Sequence, residues 1–477
     1  MKILYLITHK YSPYLGIPLI FLLVLKFIGF DGLYGQDSYE YLRYSKAIQI
    51  YLEGGQHPGS FYWPVLYPFL GSLFGYVFGN IAFGLHFLTV ISFSISLIYL
   101  YKTIQLLYPE KSSSVFYYVL IFGLFSPYFL KSGLVVMSDI LASMFVMLTY
   151  YYFFKSYQKK NSFASVFIFA TCALMTRYAT LVITLPVILY ITYLVIKRQN
   201  FTDIFIGVFF SILICIPFII LQNDNLYEGT SNYFLNSWSF ATYFSSSYET
   251  VDGLQTYRFP NLIFVLYILT HPGFIFIGIL LIVFTLKTSI NGFSHLQKVV
   301  LIPIIMYLAF LAGIPFQNIR ILGLLFPLVL LFFYPAFIEL TSIKLITQYK
   351  QVLGRTCIII QLLMWSYTFN NVFKRTLFEK QLANSMSFYQ GNTLYGFDFD
   401  VSLQGRGLDF KYQNMYNDLY VDYKENELVL FNPTLFTKQW EGENPMKNWE
   451  YIKQFYNLKT LENFDNGWSL YQIKEKE

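Results

Sequence analysis

Four charged residues stand at the ends of long apolar runs. Asp37 lies in Gln36-Asp37-Ser38-Tyr39-Glu40-Tyr41, Asp139 in Met137-Ser138-Asp139, Arg177 in Thr176-Arg177-Tyr178, and Arg320 in Gln317-Asn318-Ile319-Arg320. A carboxylate within hydrogen-bond reach of a hydroxyl can take its proton. A guanidinium can give two parallel hydrogen bonds to an oxyanion, where a lysine offers only a point charge. Three of the four also have a plainer explanation. Asp37, ahead of Ser-Tyr-Glu, could cap a helix, and Asp139 could cap an apolar one. Arg177 could extend its guanidinium to lipid headgroups. Glu40, His57 and Tyr62 share the stretch that follows Asp37 and, with Asp139, are candidate substrate or metal contacts. His57 and His271 each precede Pro-Gly, which reads as a turn. No His, Asp and Glu set has the spacing of a metal site, although Asp37 with Asp139 could share a divalent ion.

The elements that position these residues follow from composition. Of 477 residues, 56% are hydrophobic, 21% aromatic and 13% charged, against about a quarter charged in a soluble protein. Lys+Arg 33 against Asp+Glu 27 leaves a net charge of +6, too small and too scattered for nucleic acid. Cys172, Cys215 and Cys357 lie far apart inside apolar runs and form no disulfide framework. A soluble enzyme, a secreted cysteine-rich module and a disordered chain are thereby excluded. The expected architecture is an α-helical polytopic membrane protein.

Crossing a ~30 Å hydrocarbon core takes roughly 20 apolar residues. Eleven runs approach that length: 14–30, 82–104, 114–131, 137–154, 162–176, 178–196, 203–221, 262–286, 299–315, 321–341 and 356–372. No small-residue cleavage site follows the first, so it reads as an uncleaved anchor. Lys and Arg favour short inside loops. With the N-terminus (Lys2, Lys10) inside, the inside loops hold Lys155, Lys159 and Lys160, then Lys197 and Arg198, Lys287 and Lys298, and Lys344, Lys350 and Arg355. The outside segments hold Asp31, Asp37 and Glu40, then Asp224, Glu228, Glu249 and Asp252. Arg320 runs against this bias. Residues 374–477 carry 12 basic and 15 acidic side chains, whereas residues 1–373 carry 21 and 12. The expected division is a membrane domain, 1–373, and a small extracytoplasmic α/β domain, 374–477.

The first outer loop, about 31–81, is too apolar to be disordered, and long loops with little structure of their own are otherwise usually functional. Tyr41, Tyr44, Ile48, Tyr51 and Leu52 recur at helical spacing, predicting an amphipathic helix on the membrane surface. Gly54-Gly55, His57-Pro58-Gly59 and Phe61-Tyr62-Trp63-Pro64 follow. In the C-terminal part, residues 374–388 read as helix, and 419–423 and 428–431 as strands meeting at Lys424-Glu425-Asn426. Met446, Trp449, Ile452 and Phe455 mark another helix, and Trp468, Leu470 and Tyr471 a last strand.

A first span ending in an outer loop with an Asp, then a Tyr-rich helix and Pro64-Val-Leu-Tyr67-Pro68, resembles the GT-C glycosyltransferases. The resemblance is to the branch of protein O-mannosyltransferases and the lipid A aminoarabinose transferase, over roughly residues 1–340. It implies a polyprenyl-phosphate sugar donor, a lipid, glycan or protein acceptor at the outer face of the bilayer, and inversion at the anomeric carbon. It also implies Asp37 as the base, with Arg320 and then Arg177 on the donor phosphate. The sequence departs from the pattern at Ser38, where most relatives carry an acidic residue next to the loop Asp. Two other classes remain open at this stage. A polysaccharide polymerase or ligase would place its arginines in a large late loop. A flippase or transporter would place charges mid-membrane.

Overall fold

The computed structural model describes residues 10–159, 162–198, 201–222, 236–250, 253–274, 276–288 and 292–476. Lys2, Lys160, Asp224, Glu228 and Asp252 of the charge pattern lie outside the described residues. The chain is mostly helical. Helix α1 (Ser12–Phe27) is followed by α2 (Gly35–Leu52), α3 (Leu66–Phe78) and α4 (Ile81–Leu107). Next come α5 (Ser112–Tyr118), a π-helical turn (Val119–Leu124) and α6 (Pro127–Gly133). Helices α7 (Ser138–Lys159), α8 (Ala164–Thr176), α9 (Thr180–Arg198) and α10 (Thr202–Leu221) complete the first part of the bundle. After a small hairpin of β1 (Ser247–Thr250) and β2 (Gly253–Thr256) come α11 (Ile277–Thr288), α12 (His295–Ala312), α13 (Ile319–Leu322), α14 (Phe326–Ser342) and α15 (Lys344–Met386).

Helix α10 shows how the bundle meets lipid. Its mean hydropathy is 3.0, yet Phe205, Ile212 and Ile220 stand exposed, which suits a helix whose solvent is hydrocarbon. By length and composition, five described helices can cross a membrane, or six when the α5–α6 pair counts as one. Shorter apolar helices, α1, α3, α8, α11 and α14 among them, stand beside these. Length alone therefore does not reproduce the expected eleven.

Three expected spans are broken. The run 114–131 bends by 72°, because the π turn loosens the hydrogen-bond ladder and Pro127 cannot continue it. The run 262–286 is cut into short turns, Asn261–Phe264, Tyr267–Thr270 and Pro272–Phe274, ahead of α11. The run 321–341 begins as α13 and restarts at α14, where Pro327 fits the first turn.

The first outer loop also differs from expectation. Tyr41, Tyr44 and Ile48 are buried, not spread on a membrane surface. Tyr44 stacks on Phe61 at 4.1 Å between centroids, and Tyr41 meets Trp63 at 5.3 Å and Tyr67 at 4.9 Å. Helix α3 was not expected at all. It packs against α2 and α4, so the loop is two helices clamped to the bundle.

Helix α15 runs straight through the expected boundary at 373/374. Its Phe369 and Val372 belong to the bundle core, whereas Phe378 and Leu382 belong to the core of the C-terminal part. There β3 (Thr393–Gly396), β4 (Lys411–Asn414), β5 (Leu428–Phe431), β6 (Tyr456–Asn463) and β7 (Ser469–Glu475) form a sheet of order β4-β3-β5-β7-β6. Strand β3 pairs in parallel with β4 and β5, and β7 runs antiparallel to β5 and β6. Helices α16 (Asp400–Gly405), α17 (Pro433–Gln439) and α18 (Asn444–Phe455) complete it. The expected hairpin is absent, because residues 419–423 form no strand. Strand β5 is buried along its whole length and instead takes the sheet centre, as a continuous apolar run should. Helix α18 buries Met446, Trp449 and Ile452 as the spacing predicts, while Phe455 stays exposed.

Candidate functional site

Asp37 reaches its partners because two connections are tied together. Gly32 turns at φ +87, and a Cβ there would stand 2.6 Å from the His86 ring, so the turn requires glycine. Its carbonyl accepts from Val136 N–H at 2.8 Å. Ser38 Oγ then lies 2.8 Å from both the Tyr34 and the Val136 carbonyls. The first turn of α2, with Asp37, is thereby fixed beside the first turn of α7, with Asp139.

These contacts explain Ser38, the departure from the GT-C pattern. The residue is fully buried against two carbonyl oxygens, which welcome a donor and repel a carboxylate. Ser38→Ala should cost about 1 kcal/mol, one ordinary hydrogen bond. Ser38→Asp should cost about 3–5 kcal/mol as an uncompensated buried charge. Thermal unfolding of both variants in detergent checks the difference, and equal midpoints would refute it.

Four side chains from four segments converge. Arg320 of α13 donates Nη2 to Asp37 Oδ2 at 2.7 Å and places Nη1 3.0 Å from Met137 Sδ. Its Nε lies 3.2 Å from Asp139 Oδ2. Arg177, between α8 and α9, places Nε 3.2 Å from Asp139 Oδ1 and Nη1 3.4 Å from Ser138 Oγ. Ser138 in turn lies 2.7 Å from Tyr41 Oη. Tyr307 Oη donates to the Ile321 carbonyl at 3.0 Å and steadies α13. The plainer readings fall away, and for Asp139 neither carboxylate oxygen accepts a capping hydrogen bond. Asp37 is inside α2, whose capping position is Tyr34, and Arg177 turns inward instead of toward headgroups.

Exposure is graded across the cluster, from 1% for Asp139 through 14% for Arg177 and 24% for Arg320 to 30% for Asp37. The Asp139 contacts are close but not aligned as hydrogen bonds, so this carboxylate is held between two guanidiniums by charge. Burial alone would lower the pKa of Arg320, but Asp139 and Asp37 more than reverse it and hold the guanidinium above its usual value. Asp37 gives one oxygen to Arg320 and remains the accessible member of the set. The arrangement in which Asp37 and Asp139 could share a divalent ion is not the one seen, since the Arg320 guanidinium stands between them. Among the described residues no three His, Cys, Asp or Glu side chains converge.

The other expected contacts lie apart. Glu40 pairs with Arg43 of its own helix at 2.8 Å. His57 Nε2 lies 3.1 Å from the Ile220 carbonyl, and its Nδ1 accepts from Gly59 N–H at 3.2 Å, so it serves the turn. Tyr62 is exposed with its ring against Trp63.

Sequence reasoning missed a second charged network, which joins the two parts of the chain. Asp31 Oδ2 lies 3.1 Å from both Lys380 Nζ and Arg406 Nη1. Arg406 Nη2 and Tyr39 Oη are 2.5 Å apart, and Tyr39 Oη donates to the buried Glu379 at 2.5 Å. Arg375 binds Glu379 at 2.9 Å and takes both oxygens of Asp398. The i,i+4 spacing of Arg375 and Glu379 was a readable signal for part of this. Its reach to Asp31 was not.

The dolichyl-phosphate-mannose-protein mannosyltransferase family model matches residues 62–221. No curated protein matches the chain by sequence. Among solved structures, ArnT from Cupriavidus metallidurans bound to undecaprenyl phosphate aligns with a TM-score of 0.61 at 11% identity, over 97% of this chain and 98% of that one. Its apo state gives 0.61 at 10% identity with the same coverage. The apo oligosaccharyltransferase of Archaeoglobus fulgidus gives 0.52 at 13% identity, over 95% of this chain and 73% of that one. The chain is therefore a multi-pass membrane protein of GT-C fold, resembling the mannosyltransferase and aminoarabinose transferase branch.

Proposed function

We propose that the chain is a membrane glycosyltransferase that moves a sugar from a polyprenyl-phosphate donor to an acceptor hydroxyl at the outer face of the bilayer. The observation that carries this reading is the Asp37–Arg320–Asp139–Arg177 cluster, set in a GT-C fold with one accessible carboxylate. The names of the similar proteins support the donor class, since dolichyl phosphate and undecaprenyl phosphate are both polyprenyl phosphates. Asp37 accepts the proton of the acceptor hydroxyl as its oxygen attacks the anomeric carbon. The bond from that carbon to the phosphate oxygen breaks, and the electron pair leaves with the polyprenyl phosphate. One displacement inverts the configuration.

The leaving phosphate gathers negative charge, which fixed donors stabilise more than they stabilise the bound donor. All three Arg320 nitrogens already face protein groups, whereas Nη2 of Arg177 makes no hydrogen bond to the described residues. Arg177 is therefore the first phosphate donor, and Arg320 chiefly orients Asp37. In this reading residues 1–373 form the catalytic part, residues 374–477 lie outside the cell membrane, and the N-terminus is cytoplasmic.

Two experiments test it. In a deletion strain, mass spectrometry should find one lipid-linked sugar accumulating and its sugar missing from a surface glycan, lipid or protein. Unchanged pools would count against the donor class. Single cysteines at the exposed Ser60 and Asn417 should react with an impermeant thiol reagent in whole cells, and one at the exposed Gln348 should not. The reverse pattern would place the cluster on the wrong side.

A further inference from the structure

On the face of α2 turned away from Asp37 lies a cavity of about 720 Å³. Asp37, Tyr41, Tyr44 and Ile48 follow one stripe of that helix. Leu42, Lys46 and Gln49 follow the opposite one and line the cavity. Its other walls are the end of α1, the end of α3, the start of α4, Lys380 of α15, and Gly405 and Arg406 at the end of α16. The two sites are thus separated by the thickness of a helix.

The lining has a marked polarity. Lys26, Lys46, Lys380 and Arg406 face it against one carboxylate, Asp31, which is already shared by Lys380 and Arg406. Lys46 donates to the Gly405 carbonyl at 3.1 Å, and an ammonium has two further hydrogens to give. Lys26 sits at the last turn of α1 with Nζ 4.1 Å from the Phe83 ring centroid. On the topology above it is a cation at the outer end of a span, against the usual bias of lysine to the inside. Around it the surface is apolar. Tyr76 in the lining is 73% exposed, and Phe30, Ile81 and Phe83 add apolar wall. Arg406 and Lys380 are the more buried cations, on the C-terminal part, whereas Lys26 and Lys46 are exposed.

We propose that this cavity is a second lipid site, holding the phosphate headgroup of an anionic membrane lipid whose tails remain in the bilayer. The headgroup would join Lys26 and Lys46 of the bundle to Lys380 and Arg406 of the C-terminal part, on the helix that carries Asp37. The site rests on the membrane reading alone and requires no sugar transfer.

The test uses the whole protein in nanodiscs of phosphatidylcholine, with and without phosphatidylglycerol, read by native mass spectrometry and thermal unfolding. Phosphatidylglycerol should be retained and should raise the unfolding midpoint. Lys26→Gln with Lys46→Gln removes two exposed side chains that carry little of the fold, and should weaken retention roughly ten-fold or more. Lys46→Arg should retain the lipid. Asp37→Asn should bind it like the parent, which separates this site from the transfer site. Polyprenyl phosphate in place of phosphatidylglycerol identifies the lipid source, and retention that falls in the lysine double variant supports the site with either lipid. Equal behaviour in phosphatidylcholine alone, undiminished retention in the double variant, or the same stabilisation by inorganic phosphate without lipid would overturn it.

Discussion

Asp37→Asn is expected to fold, insert and hold donor lipid, while turnover falls at least roughly 10²-fold, the order contributed by a placed general base. The asparagine keeps the size of the carboxylate and can still accept from Arg320 through its amide oxygen, so the cluster should stay assembled. What it lacks is a group able to take the acceptor's proton. The loss should therefore appear in kcat with little change in donor affinity. Asp37→Glu moves the carboxylate outward by a methylene and should recover only part of the rate. Steady-state transfer and donor titration in lipid check both variants. Near-parental turnover in Asp37→Asn would reduce the residue to a structural partner of Arg320.

The second large effect separates the two arginines. Arg320→Ala frees Asp37 and leaves Asp139, 1% exposed, with Arg177 alone. Breaking a buried pair costs about 3–5 kcal/mol, and the partial exposure of Arg320 places this case at the lower end. Both turnover and the unfolding midpoint should fall. Arg177→Ala should instead lose donor affinity and turnover together, because a guanidinium with a free terminal nitrogen is removed beside the leaving group. Arg177→Lys should restore part of it, as a point charge without the two-pronged geometry. Donor titration alongside thermal unfolding distinguishes these patterns. A purely structural loss in Arg177→Ala, with donor affinity intact, would move the phosphate elsewhere.

The parts legible in the sequence were those set by local chemistry. Apolar runs and basic loops marked a polytopic membrane protein, and the charges at run ends marked all four members of the cluster. Their mutual pairing was not legible, since Asp37 and Arg320 are 283 positions apart and no local pattern records which charges neutralise each other. The tyrosine stripe of α2 misled for a physical reason. An interfacial aromatic belt and a buried aromatic seam have the same helical spacing, and only the unforeseen α3 decides between them. Helix α15 crosses 373/374 without a break, and only the change of core between Val372 and Phe378 marks where the bundle gives way to the C-terminal part. The lost hairpin at 419–431 has the same origin. A run as apolar as Leu428–Phe431 needs partners on both sides, and β3 and β7 supply them from 34 and from 38 to 44 residues away. No local pattern joins Lys380 or Arg406 to Asp31, and only the fold sets both against it.

The proposed reaction is the discharge of a polyprenyl-phosphate sugar at the Asp37–Arg320–Asp139–Arg177 cluster. It is tested most directly by giving the purified chain, in bilayers, the lipid-linked sugars extracted from its own cells and following their consumption by mass spectrometry. The parent should consume one species and release polyprenyl phosphate in equal amount, and Asp37→Asn should leave that species intact. Consumption of the same species at the same rate by both proteins, or of none by the parent, would contradict it.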